Sequence, residues 1–205
     1  MKTLLFCTAW STSDVVWQHR YGKWLNHVLH GGVHFDQVLM VDDGSSVLPK
    51  SFEMAHFDPE NLPASQPASS VVFGTFSKHL GRLGGANYPG WWRSFGFGVR
   101  YAKRYGFNKV VHIESDSFVL SQNLATYLNQ LDRGWTTLWC PRWKFPETCI
   151  QVINEDCFAS YDSVMSKPYG EFIGRVAEHV LPFTQVERCF KGDRYGEYGR
   201  CPRNC

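Results

Sequence analysis

The sequence has no apolar run approaching the ~18 residues of a membrane span, no excess of one charge, no internal repeat and no cysteine pair at CxxC spacing. Each absence excludes something. Without a long apolar run, no transmembrane segment is expected. Twenty-one Lys+Arg against nineteen Asp+Glu leave a formal charge of +2, too balanced to argue for nucleic acid or an acidic membrane surface as partner. The seven cysteines are Cys7, Cys140, Cys149, Cys157, Cys189, Cys201 and Cys205. An odd number without CxxC spacing speaks against a disulfide framework and against a zinc site of standard spacing. A reducing, cytoplasmic compartment fits best, with a disulfide in the cysteine-richer tail as the alternative. The apolar start "MKTLLFCTAW" is cut short by the polar "STSD", below the length of a secretory h-region, and reads as a first strand.

What is present is one core's worth of chain. At 205 residues the protein is expected to form a single domain over 1–205. Eight Trp, nine Tyr and fifteen Phe are more than such a core requires; surplus rings either line a site for flat or sugar-like ligands or simply enlarge the core.

The hydrophobic pattern predicts an α/β fold, a mostly parallel sheet flanked by helices. "TLLFCTA" (3–9) is a buried strand. Trp17, Tyr21, Trp24 and Val28 then recur at helical spacing, with capping residues at 11–14 and Gly31-Gly32 as a stop. "DQVLMV" is a second strand running into "DDGSS". The proline- and serine-rich stretch 47–69 reads as a loop. "SVVFGTF" is a third strand, followed by a glycine-rich loop and a helix from about Trp91 to Tyr105 that buries Phe95, Val99 and Ala102. Gly96 and Gly98 inside that helix each cost up to ~1 kcal/mol relative to Ala, which suggests that something packs close to its backbone. "NKVVHI" is a fourth strand. Then come a helix with Leu124, Leu128 and Leu131, the strand "TTLWC", a loop "PRWKFPET", the strand "CIQVI", a helix at "NEDCFASYDSVM", and a helix "EFIGRVAEHVL" with Phe172, Val176 and Val180 in register. The polar, glycine-rich end has no period, and its "KGDRYGE" suggests a mobile loop closing over a ligand.

In an open parallel sheet, ligands bind beyond the carboxyl ends of the strands. Three polar clusters fall there: Thr8, Ala9 and Trp10; Asp42 and Asp43 with Gly44 and Ser45; and Glu114, Ser115 and Asp116. If the last cluster continues the strand, Glu114 and Asp116 face one side, and two carboxylates so close repel unless one is protonated or a cation lies between them. Carboxylate oxygens suit Mg²⁺ or Mn²⁺, which commonly also bind ligand phosphates. The competing readings are a turn cap for the Glu114–Asp116 pair and an Asx-turn for "DDG". Arg93 stands at a helix start, where the macrodipole disfavours a cation, so either an anion lies nearby or the side chain is on the surface.

The stretch "HLGRLGGANYPGWWRSFGFGVRYAKRYGFNKVVHIESDSFV", preceded by the strand ending in "VDDGS", resembles the nucleotide-sugar-dependent glycosyltransferases of the GT-A, Rossmann-like fold, over roughly residues 3–120. The resemblance implies a nucleotide-binding half at about 1–120 and an acceptor half at about 121–205. Thr8 to Trp10 and Asp42-Asp43 would then line the nucleoside pocket, and Arg93 would approach the diphosphate or hold the acids. Asp116 would be the main ligand of Mn²⁺ or Mg²⁺, with Glu114 and Ser115 beside it. The partners implied are a nucleotide-sugar donor, UDP-sugar favoured, and a glycan or other hydroxyl acceptor, with transfer by inversion. Two departures are visible: the first acid of the triplet is Glu where the family more often has Asp, and Asp43 lies far from Asp116, which the insertion at 47–69 accounts for.

Inversion requires a carboxylate to take the acceptor's proton. "NED" nominates Asp156, which could equally be a helix N-cap, and Glu187, Asp193 and Glu197 are rivals in the tail. His112 and His179 read as strand-end and helix-surface residues. A sugar-nucleotide nucleotidyltransferase would want a glycine-rich, Arg/Lys-bearing loop after the first strand, which "TAWSTSD" does not offer. A non-catalytic carbohydrate-binding module is the third possibility. A dinucleotide oxidoreductase is disfavoured, because "GFGVR" falls within a helix and not after a strand.

Overall fold

The computed structural model describes residues 1–50 and 52–196. Its centre is an eight-stranded sheet in the order β3-β4-β2-β1-β5-β8-β7-β9. Strands β1 (Thr3–Ala9), β2 (Gln37–Asp42), β3 (Ala55–Phe57), β4 (Val71–Thr75) and β5 (Lys109–Ile113) run parallel. Strand β8 (Phe145–Asn154) is antiparallel to both β5 and β7 (Trp135–Cys140), and β9 (Gln185–Glu187) runs parallel to β7. The architecture is therefore the expected α/β layer with a mostly parallel sheet, extended by strands from the second half of the chain. Strands β1, β2 and β5 are apolar on both faces because helices cover both. Among the described residues, no helix is long and apolar enough to cross a membrane.

One face is covered by helix α3 (Pro89–Tyr105), with Phe95, Val99 and Ala102 fully buried as the 3.6-residue period predicts. Pro89 occupies the start of this helix, where its missing N–H leaves no bond unmade. The other face is covered by α4 (Gln122–Gln130) and by a helical stretch of three pieces: α1 (Asp14–Val16), a π-helical segment (Trp17–Gly22) and α2 (Lys23–His30). Trp17, Tyr21, Trp24 and Val28 are all buried there, but the π-turn departs from the expected regular helix.

Four expectations are corrected. The stretch at 47–69 contributes edge strand β3, three residues that carry too little pattern to read. The loop "PRWKFPET" is half strand, because β8 begins at Phe145. The helix "EFIGRVAEHVL" does not form: two 3₁₀ turns, Tyr169–Phe172 and Ala177–His179, flank Gly174, whose φ of 78° lies in the left-handed region and whose N–H donates to the Ala86 carbonyl. The tail is not loose at 191–196: β10 (Arg194–Gly196) pairs antiparallel with β6 (Ser117–Val119), and the buried Arg194 guanidinium forks onto the Glu147 carboxylate at 2.8 and 2.9 Å. Glu197, Cys201 and Cys205, with the tail disulfide they suggested, lie outside the described residues.

The helix glycines have a physical cause. A methyl on Gly98 would stand 2.6–2.8 Å from the Phe6 ring, whereas one on Gly96 meets the flexible Met165 thioether at 3.3 Å. Replacing Gly by Ala in a helix gains up to about 1 kcal/mol, while forcing a methyl into a packed core loses about 1–3 kcal/mol. Gly98→Ala is therefore expected to lower the urea midpoint and Gly96→Ala to leave it unchanged or raise it; equal midpoints for the two variants would contradict this packing.

Candidate active site at the carboxyl edge of the sheet

Beyond the carboxyl ends of β1, β2 and β5 lies a cavity of about 790 Å³, within the range of about 300–1,000 Å³ usual for small-molecule sites. Seven of the residues nominated from sequence line it: Thr8, Ala9, Trp10, Asp43, Glu114, Ser115 and Asp116. They meet because three parallel strands end side by side.

The acid triplet is not arranged as an extended strand. Strand β5 stops at Ile113, and Ser117 N–H donates to the Glu114 carbonyl at 2.8 Å, closing a tight turn over 114–117. The two acids consequently take different partners. Glu114 Oε1 accepts the Trp91 indole N–H at 3.0 Å on the α3 side. Asp116 Oδ2 lies 3.4 Å from the Arg20 guanidinium, whose Nε donates to Ser115 Oγ at 3.1 Å. The side-by-side presentation expected from strand alternation is thus replaced by a divided one.

Asp42 and Asp43 also part company. Asp42 is fully buried and off the cavity, accepting from Ser45 N–H at 2.7 Å and from the Ser45 hydroxyl; burial raises its carboxyl pKa, opposed by those two bonds. It fits the Asx-type turn reading and does not line the pocket. Asp43 does, but as a hub. Its Oδ2 accepts from Gly81 N–H at 2.8 Å and Leu80 N–H at 3.2 Å and lies 3.0 Å from His79 Nδ1, which is hydrogen-bonded to the Asp43 main-chain carbonyl at 2.9 Å, and its Oδ1 pairs with Arg93. A Cβ at Gly90 would fall 2.1 Å from this carboxylate, so the first turn of α3 can approach it only as glycine. Arg93, stacked over Phe76 at 4.0 Å, holds Asp43 and contacts neither Glu114 nor Asp116 through any bond observed.

The wall next to β1 is aromatic. Trp10 is 43% exposed and stacks on His79, with ring centroids 4.6 Å apart and planes 15° from parallel. The backbone of Trp10 is pinned by Tyr21, whose hydroxyl accepts from Trp10 N–H at 2.8 Å and donates to its carbonyl at 2.7 Å. Burial pushes the Tyr21 phenol up to about 12, so this prop stays protonated. Opposite lie Trp91, Tyr88, Arg82 and the buried Ser94, whose hydroxyl meets no partner within the described residues.

Of the four nominated bases, the three within the described residues do not line the cavity. Asp156 follows β8, which runs antiparallel, so Asn154 pairs with Lys109 at the start of β5 and the acid sits at the opposite edge of the sheet, accepting the Gly134 N–H. Glu187 ends β9, three strands away from β5, and accepts from the N–H groups of Arg188 and Cys189; those bonds lower its carboxyl pKa. Asp193 accepts from Ser121 at the start of α4. The carboxylate that does line the cavity, and was missed, is Glu178, whose Oε1 accepts from Thr148 Oγ1 at 3.1 Å. Arg20, Tyr21, His79 and Trp91 were also missed as site residues.

His112 lies beneath the site, fully buried among Phe6, Phe95 and Trp91, with Nδ1 3.2 Å from the Thr148 carbonyl. It stands one residue before the end of β5, as expected, with its side chain wholly enclosed. Burial pushes its pKa down to about 3, which the Thr148 bond only partly opposes.

No protein-family model matches the sequence, and no curated protein matches it. Solved structures of similar shape include three of different kinds. One is a glycosyltransferase involved in the glycosylation of the major capsid of PBCV-1, 8% identical, covering 92% of this chain and 82% of its own, with a TM-score of 0.44. Another is a cytidylyltransferase from Leptospira borgpetersenii, 13% identical, covering 91% and 75%, TM-score 0.46. A third is a nucleoside-diphosphate-sugar pyrophosphorylase from Vibrio cholerae, 7% identical, covering 95% and 95%, TM-score 0.47. All three TM-scores lie below 0.5, so the functional argument rests on the site itself.

The buried imidazole sets a pH dependence. Its folded pKa lies below the unfolded value of about 6.5, so as pH falls the unfolded chain binds the proton first and stability drops between pH 6.5 and about 3. Urea unfolding at pH 7 and pH 5 is expected to show a smaller loss for His112→Gln than for the wild type; an equal loss would show that another group carries the acid sensitivity.

Proposed function

We propose that this chain is a metal-dependent glycosyltransferase that moves a sugar from a nucleoside diphosphate sugar, UDP-sugar favoured, to a hydroxyl acceptor with inversion. The observation that carries the reading is the Asp116 turn opening into the same cavity as the Trp10–His79 aromatic shelf. A stacked ring pair offers a face for a nucleobase, and the acid turn lies at the carboxyl end of β5, where such a donor's phosphates would be held. The loop after β1, Trp10 to Ser13, has neither glycine nor a cation, which favours glycosyl over nucleotidyl transfer.

The residues fit a hard divalent ion in a limited way. Among the described residues no group of three or more His, Cys, Asp or Glu could hold a metal. Asp116, with Glu114 lining the same cavity, would therefore share Mn²⁺ or Mg²⁺ with donor phosphates and water. When bound, the ion would supply charge neutralisation on the departing diphosphate. Trp10 would stack the base, and Trp91 would orient Glu114. In place of Asp156, Glu187 and Asp193, Glu178 is the carboxylate assigned to take the acceptor's proton, since Thr148 holds one of its oxygens at the cavity wall.

With Mn²⁺ present, a nucleoside diphosphate at about a hundred times its Kd should stabilise the protein by about 2.7 kcal/mol, seen as a raised Tm, and Asp116→Asn should lose that shift. Full retention in the variant would refute the role of Asp116. Glu178→Gln should keep the Tm shift while donor turnover, followed as released nucleoside diphosphate, falls about 10²- to 10⁴-fold; unchanged turnover would remove Glu178 from the chemistry.

A further inference from the structure

We propose that Arg20 grips the diphosphate of the donor, exchanging Ser115 and Asp116 for phosphate oxygens when the nucleotide binds. This rests on the glycosyltransferase reading above and adds to it a cation from the opposite side of the sheet, in a helix that carried no predicted site residue.

Three observations converge on Arg20. It stands in the π-helical segment Trp17–Gly22, a rare geometry that is found frequently at functional sites. Here the wider turn keeps Trp17 and Tyr21 buried while the guanidinium lines the cavity and reaches the turn after β5.

The second observation is the looseness of the ion pair. Arg20 Nη2 stands 3.4 Å from Asp116 Oδ2, and the side chain keeps 31% of its exposure. A tight charge-assisted pair closes to about 2.7–2.9 Å, so the contact is readily exchanged for a better anion. Asp116 is also the acid that would hold a divalent ion, and Arg20 would then stand beside the same phosphates, where its planar fork can take two of their oxygens at once.

The third is that, among the described residues, the other arginines at the cavity are engaged in building its walls. Arg82 donates to the Gly84 and Gly85 carbonyls at 3.0 and 3.3 Å and lies over Tyr88, while Arg93 is bound to Asp43. Among the described residues, Arg20 is the cation bonded to the acid turn.

The test compares wild type, Arg20→Gln and Arg20→Lys in Mn²⁺ by calorimetric titration with UDP, CDP, GDP and ADP, and by NMR titration with the nucleoside of the tightest binder. Arg20→Gln is expected to weaken the diphosphate roughly tenfold to a hundredfold and leave the nucleoside unchanged. Arg20→Lys is expected to recover only part, because an ammonium lacks the fork. Equal weakening of diphosphate and nucleoside would overturn the proposal, leaving Arg20 as a prop for the turn, and so would an unchanged diphosphate affinity. If Arg20→Gln does not fold, Arg20→Lys carries the same comparison, with selective weakening of the diphosphate as the required result. Wild-type protein that binds none of the four diphosphates would overturn the glycosyltransferase reading itself, and this assignment with it; binding by wild type with no selective change in the variants would overturn this assignment alone.

Discussion

The tight turn at 114–117 is the constraint on which the site depends. A strand continuing past Ile113 would set Glu114 and Asp116 on one side, with two like charges in contact. The Ser117-to-Glu114 backbone bond ends the strand, and the acids part, Glu114 to the Trp91 indole and Asp116 to Arg20. Each acid is thereby held by an element on a different face of the sheet. The turn is held from both sides: Glu114 N–H donates to the Cys149 carbonyl of β8, and Ser117 opens β6, which pairs with the tail strand β10.

A second buried centre holds the rest of the cavity in register with that turn. Asp43 gathers the 79–81 loop and Arg93 of α3 around one carboxylate that is 6% exposed. A buried ion pair adds little net stability, but removing one partner leaves an uncompensated charge and costs about 3–5 kcal/mol. The arrangement therefore serves geometry: it fixes His79 under Trp10 and brings the first turn of α3, with Trp91 and Ser94, to the cavity wall.

Much of this was legible in the sequence. The strands at 3–9, 37–42, 71–75 and 109–113 are apolar runs with polar ends, and parallel topology carries those ends to one edge, which is why Thr8, Asp43 and Asp116 meet. What was not legible has specific causes. Strand direction is not written in an apolar run, so the antiparallel course of β8 carried Asp156 to the wrong edge. The spacing of Phe172, Val176 and Val180 is helical, but Gly174 at φ 78° breaks that helix, and Glu178 lines the cavity from the 3₁₀ turn formed in its place. The π-turn leaves the spacing of Trp17, Tyr21 and Trp24 intact, so the pattern carries no mark of the turn that presents Arg20 to the cavity. Asp42 and Asp43 are adjacent and chemically identical; only the packing of Ser45 and Gly90 tells the turn former from the hub.

The most direct test of the central claim is a crystal structure with manganese and a nucleoside diphosphate sugar. The account predicts anomalous density for the ion within about 2.0–2.3 Å of an Asp116 carboxylate oxygen, with the base over Trp10. Asp116 still paired with Arg20, and manganese and nucleotide bound elsewhere, would contradict it.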